Sequence, residues 1–234
     1  MNWHHQSSQG FSLDPTASGP PEALVILLQD LGTSAVRLAP IAARWATSLP
    51  TAAFIALDTL APFDPLASCL SKRTTLDPDA NVEPSALDRM TRHLEPLLRG
   101  RLRCHRLDAG RLVLVGFGSG GTLALHMALR RGLGCAGVLA IGAKVMRPVP
   151  RIQRVDQKLR LIACAGDGDI DHRSLRETVT LLATYGIDTR AALLPSSARS
   201  DEAIRHGAAY LVELVATAQR RDQGHIDRES SDAR

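Results

Sequence analysis

The clearest chemical pattern in the chain is the glycine-rich segment GFGSGG at residues 116–121. An apolar strand pattern ends there, and a helical pattern begins directly after it. A sharp strand-to-helix turn of the form G-x-S-x-G exposes a serine nucleophile for acyl transfer, beside a helix N-terminus that favours developing negative charge. Here Gly116 and Gly120 hold the outer positions, but the middle residue is Gly118, and Ser119 comes one position later.

The elements around this turn follow a regular alternation. Helical periodicity predicts helices after Ser34, over 85–98, after the turn, over 173–185, and from Ser200 or Asp201 onward. Short apolar runs predict buried strands over 23–28, 52–57, 112–115, 136–141, 159–165 and 190–194. Such alternation predicts an α/β fold with a mostly parallel central sheet covered by helices on both faces.

Three segments of the chain resemble a known family in their order and spacing. They read ALVILLQDLGTSA, VGFGSGGTLALHMALRR and LRLIACAGDGD. The carboxylesterase/phospholipase group of α/β-hydrolases typically has a first strand ending in H-G-x-G, a turn reading G-F-S-Q-G and a later strand ending in H-G-x-x-D. The resemblance covers residues 22–218. It implies the α/β-hydrolase fold and the hydrolysis of carboxylic esters without a cofactor.

The resemblance also shows which catalytic groups are changed. Gly118 stands where the family has its nucleophilic serine, and Arg199 stands where it has its histidine base. Glycine has no side chain, so it cannot act as the nucleophile. A guanidinium is effectively always protonated, so it cannot act as the base. The acid position is retained as Asp169. We hypothesise that Asp169 pairs with Arg199 through a charge-assisted bond.

The oxyanion-binding loop of the family is altered as well. Its backbone donors map to Leu31 and Ser119, but the loop begins with Gln29 and Asp30 instead of histidine and glycine. A carboxylate at position 30 is expected to weaken the stabilisation of an oxyanion. The hydroxyl of Ser119 is expected to satisfy a backbone donor at the helix start.

Three functions remain open from these residues. The favoured one is a hydrolase-fold protein that has lost, or nearly lost, ester cleavage and has a binding role. The second is an active carboxylic ester hydrolase with Ser119 as a shifted nucleophile and His206 or His172 as base, which requires a histidine within hydrogen-bond reach of the hydroxyl. The third is nucleotide binding at Gly116, Gly118 and Gly121, although the next strand lacks the expected acidic residue.

Composition bears on partners and location. The net charge is +4 with basic residues scattered, and aromatic residues make up 3%, which argues against nucleic-acid binding. The four cysteines lack metal-ligand spacing, and no apolar run reaches membrane-spanning length. We therefore expect no metal, no membrane span and a cytoplasmic location. The expected ligand is a small acyl or anionic molecule in the cleft, and a homodimer is left open.

The distribution of polar residues predicts the domain limits. Residues 1–21 are predicted to form a flexible N-terminal tail, residues 22–219 a single hydrolase domain, and residues 220–234 a disordered C-terminal tail. Prolines and aspartates over residues 58–84 predict a long loop or lid.

Overall fold

A single sheet organises the part of the chain that the computed structural model describes, residues 3–6, 10–30, 33–57, 84–131, 133–143, 157–164 and 172–232. The strands predicted over 23–28 and 52–57 have the predicted bounds, and the other predicted strands differ at their ends by at most two residues. The eight strands are β1 (Trp3–Gln6), β2 (Gly10–Leu13), β3 (Ala23–Leu28), β4 (Ala52–Leu57), β5 (Leu112–Phe117), β6 (Gly137–Ile141), β7 (Lys158–Cys164) and β8 (Asp188–Leu194).

The strand order brings two loops together at one edge of the sheet. The order is β1-β2-β4-β3-β5-β6-β7-β8, with β2 antiparallel to both of its neighbours and every other pair parallel. Because β3 and β5 are adjacent and parallel, with Leu28 opposite Gly116, their carboxyl ends meet. The residues that follow β3 therefore lie beside the turn that follows β5. The mostly parallel α/β architecture is confirmed.

Helices cover both faces of this sheet. On β3, Leu24, Ile26 and Leu28 pack on one side, and Val25 and Leu27 pack on the other. Every residue of β3 is buried, as expected for a strand between two helical layers. The helices are α1 (Ala39–Ala46), α2 (Pro84–Cys104), α3 (Ser119–Arg131), α4 (His172–Thr184) and α5 (Asp201–Asp232), with α2, α3 and α4 on the Leu24 side and α1 and α5 on the other. None of the described helices combines the length and apolarity needed to cross a bilayer.

The two ends of the chain differ from the expected tails. Residues 3–6 and 10–13 form a hairpin that extends the sheet, and Phe11 and Leu13 are buried against the core. The final helix continues to Asp232, through residues such as glutamine, arginine and glutamate, which favour helix although they are polar. The single-domain division stays a prediction, and the predicted lid lies outside the described residues except for Pro84, which opens α2.

Candidate functional site

The predicted turn is present between β5 and α3. Gly118 lies between these elements with φ +52°, in the left-handed region that favours glycine. A Cβ on Gly116 would lie 2.4 Å from backbone atoms of Gly121, and a Cβ on Gly120 would lie 2.4 Å from the carbonyl oxygen of Gln29. The flanking glycines therefore let α3 pack closely against β5 and the loop after β3.

The carboxylate of Asp30 lies directly over this turn. Its Oδ1 accepts a hydrogen bond from the backbone N–H of Ser119 at 3.0 Å and another from the Ser119 hydroxyl. A Cβ on Gly118 would lie 2.8 Å from Cγ and Oδ1 of Asp30 and 2.9 Å from Oδ2. The carboxylate thus fills the space that a side chain at position 118 would need.

This contact caps α3 from another part of the chain. Asp30 and Ser119 are 89 residues apart in sequence, and the negative charge of Asp30 faces the N-terminus of α3. Backbone N–H donors and the helix dipole both stabilise a carboxylate there. Sequence reasoning placed Asp30 near the oxyanion position but missed its bonds to Ser119. The sequence did contain a signal, because two positions change in opposite ways. Asp30 stands where the family has glycine, and Gly118 stands where the family has serine.

Gln29 lies in the same loop but is closed off from solvent. Its side chain is buried, at 1% exposure, and neither polar atom of its carboxamide has a hydrogen-bond partner in the described structure. An unpaired buried amide carries a desolvation cost of about 1–3 kcal/mol. Gln29 is therefore a buried neighbour of the turn, whereas Asp30 is half-buried and reaches its centre.

The position expected for the base is an exposed arginine. Arg199 lies in the turn before α5 and forms no ion pair with any residue that the structure describes. Asp169 and Leu31 fall outside the described residues, so the Asp169–Arg199 pairing and the role of the Leu31 N–H stay predictions.

The segment around Arg199 is shaped by helix capping. The Ser200 hydroxyl accepts a hydrogen bond from the N–H of Ala203 at 3.1 Å, which confirms the predicted cap of α5. Ser200 also donates to Ser196 at 2.7 Å, and Ser196 donates to Glu202 at 2.9 Å. These bonds hold the loop in which the resemblance places the family's histidine.

Of the two histidines considered as replacement bases, only His206 has a side chain that the structure describes. His206 is exposed on α5 and meets the edge of Tyr210 with ring centroids 6.4 Å apart. His172 opens α4, but its side chain is outside the described part of the chain. The Ser119 hydroxyl donates a hydrogen bond to the Asp30 carboxylate.

Two polar clusters away from the turn were not predicted from the sequence. Nε2 of His126 on α3 lies 3.0 Å from Oδ1 of Asp88 on α2, which links these two helices. Arg160 is fully buried on β7 and bonds to Asp188 and Glu213. Within the described residues, no three histidine, cysteine, aspartate or glutamate side chains are grouped as metal ligands.

The cluster at Arg160 has perturbed ionisation. Desolvation lowers the pKa of Arg160, but hydrogen bonds to Glu213 and Asp188 outweigh it and raise that pKa overall. The hydrogen bond from Arg160 lowers the pKa of Asp188 and also that of Glu213. Arg160 lies near the amino-terminal end of β7, whereas the turn at Gly118 follows the carboxyl end of β5. We therefore assign the cluster a structural role.

Comparison with known proteins decides the family. Residues 16–169, well over half of the chain, match the family model described as phospholipase/carboxylesterase. The chain belongs to the phospholipase/carboxylesterase family. This confirms the resemblance of the sequence motifs, and the region matched contains Asp30, Gly118 and Ser119. No curated protein matches the chain in sequence.

Solved esterase structures share the fold of this family member. Esterase PE8 is 19% identical with a TM-score of 0.67, and covers 88% of this chain and 98% of its own. The Bacillus cereus carboxylesterase is 12% identical with a TM-score of 0.66, and the coverages are 87% and 92%. A carboxylesterase from Mesorhizobium loti is 18% identical with a TM-score of 0.64, and the coverages are 92% and 99%. At these identities the likeness is one of fold, and the fold is that of an α/β-hydrolase.

Proposed function

We propose that this member of the phospholipase/carboxylesterase family does not cleave esters and instead binds a small ligand in the family cleft. The observation that carries the proposal is the turn itself. Gly118 provides no nucleophile, and the Asp30 carboxylate occupies the space of the missing side chain. Loss of the nucleophile in a serine hydrolase costs about a millionfold in turnover.

The oxyanion donor supports the same proposal. The Ser119 N–H, which the resemblance assigns to the oxyanion, already donates to Asp30. Loss of one such donor costs about a hundred- to a thousandfold in kcat. The Asp30 charge would also oppose the negative charge that develops on a substrate oxygen. Nucleophile and oxyanion stabilisation are thus affected by the same pair of residues.

The two alternatives receive less support. An active hydrolase with Ser119 as nucleophile needs a histidine base to accept the hydroxyl proton, whereas this hydroxyl donates to the Asp30 carboxylate. A nucleotide at Gly116, Gly118 and Gly121 would place its phosphates beside that same carboxylate, and Gly116 and Gly121 are used for close strand–helix packing. Neither alternative accounts for the hydrogen bonds between Asp30 and Ser119.

Hydrolysis of a short-chain aryl acyl ester tests the proposal. We expect the wild-type protein to show no more turnover than Ser119→Ala, with Ser197→Ala as a matched control on an exposed serine. Wild-type turnover that disappears in Ser119→Ala alone would establish the shifted nucleophile and refute the proposal.

A second set of variants asks what blocks the reaction. Gly118→Ser with Arg199→His should remain inactive, because the new side chain at position 118 meets the Asp30 carboxylate. Adding Asp30→Gly to that pair should produce turnover, because it vacates the space and releases the Ser119 N–H. Equal turnover with and without the change at position 30 would contradict the blocking role of Asp30.

A further inference from the structure

We propose that the outer face of α2 docks the protein on the surface of an anionic lipid bilayer. Five exposed arginines make up this basic face: Arg89, Arg92, Arg99 and Arg103 on the helix, and Arg106 just after its end. The basic face lies on the solvent side of α2, so its role does not depend on whether the family cleft binds a ligand or cleaves an ester.

Helical periodicity gathers these charges on one side of α2. The opposite side is buried in the core through residues at intervals of three and four, namely Leu87, Met90, Leu94, Leu98 and Leu102. At about 100° per residue, the four helical arginines lie within about 80° of one another and face away from that side. The row from Arg89 to Arg103 is about 20 Å long, at a rise of about 1.5 Å per residue. Charges that look scattered in the sequence therefore form one row.

Little of this charge is neutralised by the described part of the chain. The helix α2 contains two acidic residues, Asp88 and Glu95. Asp88 bonds to His126, and Glu95 pairs with Arg99 at 2.8 Å. The other four arginines of the basic face form no ion pair with any residue that the structure describes. An anionic surface would supply the counter-charge that this row lacks.

Arg106 has an unusual backbone conformation. Its φ is +56°, and it is the only non-glycine residue with a positive φ among those that the structure describes. The N–H of Leu107 donates to the carbonyl of Leu102 at 2.9 Å, and the N–H of Arg106 donates to the carbonyl of Arg103 at 3.0 Å. In this helix-ending motif the left-handed position usually holds glycine, which is less strained there than arginine. A side chain held in a disfavoured conformation points to a function for that side chain.

The geometry and composition of the basic face favour a bilayer over a nucleic acid. A straight row of charges can meet a planar surface along its whole length. The helix α2 contains no aromatic residue to stack on bases, and no asparagine or glutamine to contact base edges. Anionic lipids attract arginines by charge alone, which strengthens binding about fivefold for each arginine near the surface. Because the apolar side of α2 packs in the core, docking is electrostatic and needs no insertion.

Co-sedimentation with lipid vesicles tests this docking. The wild-type protein should bind phosphatidylcholine vesicles that contain about 30% phosphatidylserine, and should bind pure phosphatidylcholine vesicles at least about tenfold more weakly. Salt at about 1 M should release it. Arg92→Gln with Arg106→Gly should lower the partition constant about twentyfold. Arg106→Gly alone should also raise the melting temperature by about 2–4 °C, because glycine suits the left-handed position, so weaker binding cannot result from a damaged fold.

The matched control is Arg37→Gln with Arg205→Gln. Both arginines are exposed on the other side of the sheet, where their neighbours Leu38 and Ile204 pack in one cluster with α1 and α5. The two double variants change the net charge equally, so the control should bind the phosphatidylserine vesicles as wild type does. Equal weakening by both double variants would reduce the effect to net charge and overturn the proposal.

Two further outcomes also contradict bilayer docking. Wild-type protein that binds both kinds of vesicle equally, or binds neither, would overturn it. Binding to a DNA duplex of about 20 base pairs without binding to vesicles would assign the basic face to nucleic acid instead. If Arg106→Gly lowers the melting temperature, Arg92→Gln with Arg103→Gln decides, since it leaves the left-handed residue unchanged. A loss of vesicle binding of about tenfold or more in that variant supports docking, and no loss overturns it.

Discussion

Gly118 and Asp30 depend on each other at atomic distance. The positive φ of Gly118 favours glycine by itself, and a Cβ there would lie 2.8 Å from the Asp30 carboxylate, so that Asp30 would have to shift. The same carboxylate bonds to Ser119, so a shift of Asp30 would also disturb these bonds. The two residues therefore form one structural unit, although they belong to different loops.

This dependence predicts a measurable coupling in stability. Gly118→Ala should destabilise the fold by about 1–2 kcal/mol through its backbone conformation and by about a further 1–3 kcal/mol through overpacking. Asp30→Gly should remove the second contribution, which gives a coupling of about 1 kcal/mol or more in a double-mutant cycle measured by urea unfolding.

Gly186 provides the control for that cycle. Its φ is +72°, close to that of Gly118, but nothing lies within 4 Å of a Cβ placed on it. Gly186→Ala should therefore show only the conformational cost and no coupling to Asp30. An equal loss of stability in Gly118→Ala and Gly186→Ala would show that the carboxylate does not restrict position 118.

At the scale of elements, α1 and α5 support the turn from one face of the sheet. Trp45 on α1 is buried and donates from Nε1 to the carbonyl oxygen of Ile204 on α5 at 2.9 Å. Its ring stacks on Phe117, the residue before Gly118, with ring centroids 6.2 Å apart and an interplanar angle of 14°. A Cβ on Gly207 would lie 3.0 Å from Trp45, so α5 packs closely on the indole.

Trp45→Phe should weaken this layer. The variant loses a buried hydrogen bond worth about 1 kcal/mol and part of a large packed ring, so we expect a loss of about 2–3 kcal/mol. Urea unfolding followed by far-UV circular dichroism measures it. Tyr185→Phe, at a 46% exposed aromatic residue, should change stability by less than about 0.5 kcal/mol. A loss no larger than in this control would contradict the supporting role of Trp45.

The same scale shows what the sequence can predict. Strands such as β3 and β4 are continuous apolar runs buried on both faces, so their pattern is unmistakable. The strand β2 has only Phe11 and Leu13 as large apolar residues within a polar segment, and β1, its partner on the outer side, is equally short. Short strands carry little periodic signal and owe their structure to the sheet that receives them.

The candidate site was predictable residue by residue but not in its contacts. Motif order identified Gly118, Arg199, Gln29 and Asp30 as altered positions, and the structure places Gly118, Gln29 and Asp30 at or beside one turn, next to Ser119. The bond between Asp30 and Ser119 joins residues 89 positions apart. Local periodicity contains no information on such a pair, and only the parallel register of β3 and β5 brings them together.

At the scale of the whole molecule, a buried arginine links the last two strands of the sheet to the final helix. Arg160 on β7 bonds to Asp188 on β8 and to Glu213 on α5 at 3.2 and 2.7 Å. Lys158 lies 3.9 Å from each of the same two carboxylates. A fully buried guanidinium needs both partners, because an unpaired buried charge is strongly destabilising.

Acid should loosen this cluster. The lowered pKa values of Asp188 and Glu213 mean that the fold gains stability from them above their ordinary pKa values, near 4, and loses it as pH falls through the lower native values. Arg160→Met should cost about 3 kcal/mol near neutral pH. In thermal unfolding between neutral pH and about pH 3, its deficit against wild type should shrink as pH falls.

Arg173→Met is the control for the acid series. Arg173 pairs with Glu177 on the same helix, with side-chain exposures of 87% and 46%, so its loss should cost no more than about 0.5 kcal/mol. Parallel pH profiles for wild type and Arg160→Met would refute the link between this cluster and acid stability.

The contact between Asp30 and Gly118 also imposes an order on mutational history. A side chain at position 118 and this placement of a carboxylate at position 30 exclude each other. With the carboxylate in its present placement, a stepwise route from a serine turn therefore requires glycine at 118 before aspartate at 30. Glycine at 118 makes aspartate at 30 possible, and aspartate at 30 then hinders the way back. Once both changes are present, a reversion at position 118 alone should destabilise the fold without restoring catalysis.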